Sequence, residues 1–196
     1  TSEDAMTRSE TYKTTDIAKI DKVDDVTDPN IQSETFFQGG KGDEVSDYSY
    51  NYQVGTLTVK STSVFFYSPT ATQTGLQRAE DADTESSMAR SLAYKGTKAT
   101  AGTFYNALDK VSDSVALTGE TYYFGTVKGE EISDYSYNYS TKKDDSGDYI
   151  SSLAKTTSVF YYNSLRASAG ATSEDAMTRS ETYKTTDITL VDKTTA

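Results

Sequence analysis

Aromatic and polar residues alternate in two stretches of the chain, VSDYSYNY and ISDYSYNY. Because successive side chains of a strand point to opposite faces, this pattern predicts two strands with tyrosines on one face and polar residues, such as Asp47 and Ser49, on the other. Each stretch follows a second aromatic run, ETFF or ETYYF, and a turn that contains glycine, which together predict two β-hairpins. The tyrosines that share a face are Tyr48, Tyr50, Tyr52, Tyr135, Tyr137 and Tyr139.

This tyrosine ladder is the candidate binding site, and it has two interpretations. A tyrosine ring offers a flat apolar surface with a polar edge, which suits a carbohydrate or a protein partner. The same rings also suit the inward face of a scaffold, and the identical sequence SDYSYNY in both stretches favours that structural role. Exposed rings in a coplanar row would indicate binding, whereas buried rings would indicate a scaffold.

A third pattern surrounds each of the three methionines. The stretch DTESSMARSLAYKG contains good helix formers, a candidate N-cap at Asp83 or Thr84, and Gly96 as a C-terminal stop, so it favours a helix. Its two sibling stretches contain more threonine and lack the glycine, and they suit a strand equally well. The predicted fold class is therefore mainly β, with α+β as the alternative.

The methionine stretch is the leading block of an internal repeat. The seventeen residues TSEDAMTRSETYKTTDI occupy 1–17 and 172–188, and a degenerate copy occupies 84–97. The aromatic blocks recur between these copies in the same order. We therefore predict two sandwich-like β-rich units of about 90 residues, 1–82 and 83–171, and the opening of a third at 172–196.

Composition narrows the functional classes. Leu, Ile, Val and Phe supply only 32 of 196 residues, so 16 Tyr and 7 Phe carry much of the expected burial. A net charge of −11 argues against nucleic acid as a partner. The sequence contains no run of about 18 apolar residues, so membrane insertion is not predicted. His and Cys are absent from the sequence, which excludes Ser-His-Asp, Cys-His and His-based zinc chemistry.

Acidic clusters such as DKVDDVTDPN and DDSGD punctuate the chain. Calcium binds six to eight oxygen ligands and is the one cofactor that these loops suggest. The densest candidate metal site is Asp144, Asp145 and Asp148. Solvated acidic loops that keep a tyrosine-rich surface soluble are the simpler interpretation.

The sequence predicts a non-catalytic structural protein, either a stalk, an adhesin spacer or a filament subunit, at the cell surface or outside the cell. The expected partners are proteins: neighbouring repeats or further copies of the chain. The alternatives are a binding module that uses the tyrosine ladder and a scaffold that is ordered by larger partners. The terminal copy at 172–188 is either an assembly segment or the point at which a longer tandem array was divided.

Overall fold

A computed structural model describes residues 4–20 and 28–191. Most of the acidic stretch DKVDDVTDPN therefore lies outside the described residues. The strands are β1 (Arg8–Tyr12), β2 (Ile31–Gln38), β3 (Val45–Tyr52), β4 (Val59–Tyr67), β5 (Met88–Lys95), β6 (Leu117–Phe124), β7 (Ile132–Lys143), β8 (Tyr149–Tyr162) and β9 (Met177–Tyr183). They form one open antiparallel sheet in chain order, β1 to β9. The mainly β prediction is confirmed.

The helix favoured for the methionine stretch is wrong. The three copies form β1, β5 and β9, and no α-helix occurs in the described residues. In β5, Leu92 and Tyr94 are fully buried while Ala93 between them is only half-buried, which is the alternation of a strand. Pairing on both sides satisfies the facing backbone edges of β4 and β6, which a helix in this place would leave unpaired. Tertiary pairing has outweighed the local helix propensity.

One side of the sheet, called here the tyrosine face, carries the ladder tyrosines. Tyr48 lies opposite Phe36 in β2 and Val64 in β4, and Val64 lies opposite Leu92 in β5. The connection between β5 and β6 folds back over this face, where Phe104 packs into the core. The main cluster of buried side chains consists of Val64, Phe66, Leu92, Tyr94, Phe104, Tyr105 and Leu117.

The sandwich arrangement is not confirmed, because all nine strands belong to one sheet and a connection, not a second sheet, covers its central core. The sheet crosses both predicted unit boundaries without a break, since β4 pairs with β5 and β8 pairs with β9. The division into 1–82, 83–171 and 172–196 stays a prediction. A second cluster at the β8 side joins Val159, Tyr161 and Val191.

Candidate functional site

The ladder tyrosines are half-buried, and their rings are not coplanar. Tyr48 and Tyr50 are tilted by 60° at a centroid distance of 5.3 Å, and Tyr135 and Tyr137 meet at 69° and 5.4 Å. Each first ring stacks instead on an aromatic ring of the preceding strand: Tyr48 on Phe36 at 4.4 Å, and Tyr135 on Tyr122 at 4.2 Å. This geometry is intermediate between the flat platform and the fully buried scaffold, so the binding role of the ladder stays a prediction.

Two buried glutamates lie among these rings, and the sequence interpretation missed both. Glu34 in β2 and Glu120 in β6 are 4% and 3% exposed. The Tyr52 hydroxyl donates to Glu34 Oε2 at 2.9 Å, and the Tyr139 hydroxyl donates to Glu120 Oε2 at 3.3 Å. The available signal was a glutamate two residues before an aromatic residue in each strand, SETF and GETY, since period two places both on one face.

Arginines from the methionine strands complete these clusters. Arg8 Nη1 lies 3.2 Å from Glu34 Oε1, and Arg90 Nη1 lies 3.7 Å from Glu120 Oε1. Arg90 also stacks over the Tyr122 ring at 4.3 Å. These contacts compensate in part for burying a carboxylate, because a buried charge needs partners. Each glutamate thus links a methionine strand to the hairpin that follows it.

Two aspartates in β-bulges form a second repeated contact. Asp47 and Asp134 are the extra residues where the register shifts between β2 and β3 and between β6 and β7. Arg78 Nε donates to Asp47 Oδ1 at 3.0 Å, and its guanidinium lies 5.7 Å from the centre of the Phe66 ring. The bulge therefore turns Asp47 toward the tyrosine face, and the prediction of the opposite face is wrong. A β-bulge reorients a side chain in this way.

The equivalent pair at the second bulge is more deeply buried. Arg166 Nε donates to Asp134 Oδ1 at 3.1 Å, and the Ser168 backbone N–H donates to the same oxygen at 3.2 Å. The side chains of Arg166 and Asp134 are 4% and 6% exposed, whereas those of Arg78 and Asp47 are 16% and 12% exposed. The sequence did not predict either arginine partner, because neither the bulge nor the long connections carry a local signature.

Burial raises the pKa of the Glu120 carboxyl above its ordinary value, and the hydrogen bond from Tyr105 and the charge of Arg90 offset this only in part. The folded protein therefore holds the proton more tightly than the unfolded chain does. The resulting stability is fully present below about pH 4.5, the ordinary value, and is lost as the pH rises through the raised pKa.

We expect Glu120→Gln to remove this pH dependence. The free energy of unfolding of the native chain, minus that of the variant, should be larger at pH 5.5 than at pH 8, because only the native chain must ionise a buried carboxyl. Urea unfolding of both proteins at the two pH values measures this difference. A difference that does not change with pH would contradict the assignment.

A groove of about 440 Å³ opens beside Glu120 and the tyrosines around it. It is lined by the rings of Tyr122, Tyr137 and Tyr139, by Glu120, and by Thr186 after β9. Hydroxyl groups and ring faces of this kind are compatible with a carbohydrate. The Glu120 carboxylate in this groove already accepts hydrogen bonds from the Tyr105 and Tyr139 hydroxyls, so it is engaged by the protein itself.

The predicted calcium residues lie in the turn between β7 and β8. Asp144 Oδ1 accepts the backbone N–H groups of Ser146 and Asp148, each at 3.0 Å, and the turn includes Gly147 at a φ of +91°. Asp145 and Asp148 are exposed. In residues 4–20 and 28–191, no group of three or more acidic side chains is close enough to hold a metal ion. Calcium binding stays a prediction, and Asp144 has a structural role as the cap of the turn.

No protein-family model, curated protein or solved structure matches this chain. Within the described residues, no helix has the length and apolar character needed to cross a membrane. The functional conclusion therefore depends on the residues and geometry above.

Proposed function

We propose that the chain is a non-catalytic structural protein, a stalk, spacer or filament subunit, that assembles through its duplicated terminal strand. The observation that carries this proposal is the placement of the repeated block. The same residues form β1 and β9, which are the two outermost strands of the described sheet, and the related β5 lies in the middle with a partner on each side.

The repeated polar contacts support a structural role for the chemically competent side chains. Glu34 and Glu120 each contact a tyrosine hydroxyl and an arginine of the preceding methionine strand, and Asp47 and Asp134 each bind one arginine. Contacts that recur in two copies of the repeat favour a structural role, because a catalytic acid and a catalytic base need environments that push their pKa values apart.

A cell-surface or extracellular location belongs to the same proposal. A net charge of −11 and many hydroxyl side chains favour solubility and oppose aggregation of a chain with 16 tyrosines. The scaffold alternative, in which larger partners order the chain, predicts a disordered circular dichroism spectrum for the isolated protein. A folded β spectrum is expected from the proposal.

Truncation after Ala171 tests the assembly. This change removes β9 and the segment that contributes Val191 to the cluster with Val159 and Tyr161, which are 0% and 3% exposed. Exposing part of these two side chains should lower the free energy of unfolding by roughly 2–3 kcal/mol. The truncated chain should also lose any concentration-dependent oligomers, measured by sedimentation velocity.

Leu190→Ser is the matched control in the same segment, because that side chain is 74% exposed. It should leave both the unfolding midpoint and the oligomeric state unchanged. A full-length chain that is monomeric at every concentration, or a truncated chain that assembles as well as the full one, would contradict the proposed assembly.

A further inference from the structure

The two outermost strands of the described sheet, β1 and β9, have the same sequence but pair with their neighbours through opposite edges. In the described sheet, β1 pairs only with β2, and β9 pairs only with β8. The related strand β5 uses both edges, since it pairs with β4 and with β6. An unpaired strand edge is a template for a further strand. The unpaired edge of β9 corresponds to the edge through which β1 binds β2 and β5 binds β6. It should therefore bind a strand of the same type as β2 or β6.

We propose that β9 of one copy pairs with β2 of a second copy and takes the place of that copy's β1. The inference depends on the proposed assembly and specifies its partner and register. Because β1 and β9 share their sequence, the register of β1 on β2 transfers directly. The expected pairs are Arg179 with Phe36, Ser180 with Thr35, Glu181 with Glu34, Thr182 with Ser33, and Tyr183 with Ile31.

The side chains of β9 lack the cover that the same residues have in the other copies. The Arg179 side chain is 48% exposed, compared with 23% for Arg8 and 20% for Arg90, which both contact a buried glutamate. Pairing with β2 would bring Arg179 beside Glu34, as Arg8 is now. This contact supplies the charge complementarity that favours a second copy as the occupant.

The neighbouring segments indicate which strand is displaced. After β9, Val191 is 2% exposed and packs against Val159 and Tyr161 of its own sheet. At the equivalent place after β1, Ile20 is only half-buried, and Ile17 is 68% exposed, whereas its counterpart Ile188 packs against the cluster of Val159, Tyr161 and Val191. The structure thus anchors β9 more firmly than β1, so β1 is the strand that leaves.

Exchange replaces one strand pair by another of the same sequence, so pairing energy alone does not drive it. The cost of association opposes it, and the burial of the β9 edge favours it. Exchange of an identical element between copies is a low-cost route to assembly, and here it continues from chain to chain because each copy offers both a β9 and a β2. Assembly should therefore increase with concentration.

Disulfide trapping tests the register, because the native chain has no cysteine. One chain carries Ser180→Cys, and a second, mass-tagged chain carries Thr35→Cys. Directly opposed residues of an antiparallel pair satisfy disulfide geometry, whereas residues displaced by two positions do not. After mixing and mild oxidation, the S180C and T35C chains should form a mixed dimer at least tenfold more than S180C with Ser33→Cys does.

A locked variant supplies the complementary measurement. Ser9 lies opposite Thr35 within one chain, so the double variant S9C/T35C should close an internal disulfide that retains β1. The oxidised variant should stay monomeric at concentrations at which the native chain assembles, and reduction should restore assembly.

Equal trapping by T35C and S33C, or assembly by the oxidised locked variant, would overturn this inference. If the full chain assembles and the truncation abolishes assembly in those same experiments, the proposed function stands and only the register is wrong. A full chain that never assembles and never traps would overturn both.

Discussion

Asp134→Ala should lower the free energy of unfolding by about 4 kcal/mol, because it leaves the Arg166 guanidinium buried without its charged partner. Arg166 is 4% exposed and donates through Nε to Asp134 at 3.1 Å. Within the described part of the chain, its Nη1 atom already has no hydrogen-bond partner. Removing the carboxylate also frees the Ser168 backbone N–H, which donates to it at 3.2 Å. Urea unfolding monitored by tyrosine fluorescence measures the loss.

Asp47→Ala is the matched control, since it removes the equivalent carboxylate from the first bulge. Arg78 is more exposed than Arg166, and its Nη1 donates to the Thr100 carbonyl oxygen at 2.7 Å. In the Asp47→Ala variant its guanidinium would therefore retain this hydrogen bond and its contact with solvent. The expected loss is about 1–2 kcal/mol, because a partly exposed ion pair contributes less than a buried one. Equal losses in the two variants would show that burial does not determine the strength of these pairs.

The difference between the two pairs originates in loop length. The segment after β5 contains six residues, KATAGT at 98–103, that the segment after β9 lacks. Thr100, within these six residues, provides the carbonyl oxygen that Arg78 uses, whereas in residues 4–20 and 28–191 no group accepts from Nη1 of Arg166. Comparing the repeat copies shows where the insertion lies, but the sequence does not show that it completes an arginine site in another part of the sheet.

The strands of the ladder were predictable from sequence because strict alternation of tyrosine with small polar residues has one structural interpretation. The Tyr48 and Tyr135 strands appear where the pattern placed them. The internal repeat was equally clear, because it is recognised by comparing segments of the amino-acid sequence and requires no structural inference. In contrast, the sandwich was inferred from unit size, and size does not determine whether a connection or a second sheet covers the core.

The site was less predictable than the strands. Asp47 was assigned to the wrong face because period-two counting assumes an unbroken ladder, and one bulge residue reverses the assignment. Glu34 and Glu120 were missed because a glutamate in a strand is ordinarily solvent-exposed. Only the pairing of strands reveals that an arginine and at least one tyrosine hydroxyl contact each carboxylate.

The methionine block shows how position in the sheet determines what one sequence position tolerates. Leu92 in β5 occupies the place of Glu10 in β1 and Glu181 in β9. Leu92 is 0% exposed and lies between Val64 and Glu120 on neighbouring strands. In β1 the equivalent carboxylate lies at the edge, where Arg8 contacts both Glu10 and the glutamate opposite it. In the central strand β5, both backbone edges are paired, with β4 and with β6, and the connection that carries Phe104 covers the Leu92 side chain.

Leu92→Glu should therefore lower the free energy of unfolding by roughly 4 kcal/mol or more, although it gives β5 the residue found in both sibling strands. The introduced carboxylate would be buried opposite Glu120, and a buried charge beside a like charge is among the most destabilising changes. Lowering the pH should recover part of the loss, because protonation removes the charge. Chemical unfolding at pH 8 and pH 5.5 measures both effects.

Glu181→Leu makes the reverse change in β9 and should alter the free energy of unfolding by less than about 1 kcal/mol, because the Glu181 side chain is 34% exposed at a strand with one partner. If Leu92→Glu were tolerated as well as Glu181→Leu, the central burial of β5 would be wrong. If Glu181→Leu instead weakened assembly while leaving the monomer stable, the loss would lie in the pairing of β9 with β2, since only in the exchanged sheet would Arg179 bridge Glu181 and Glu34, as Arg8 bridges Glu10 and Glu34. The two substitutions thus separate what the block contributes inside one sheet from what it contributes between copies.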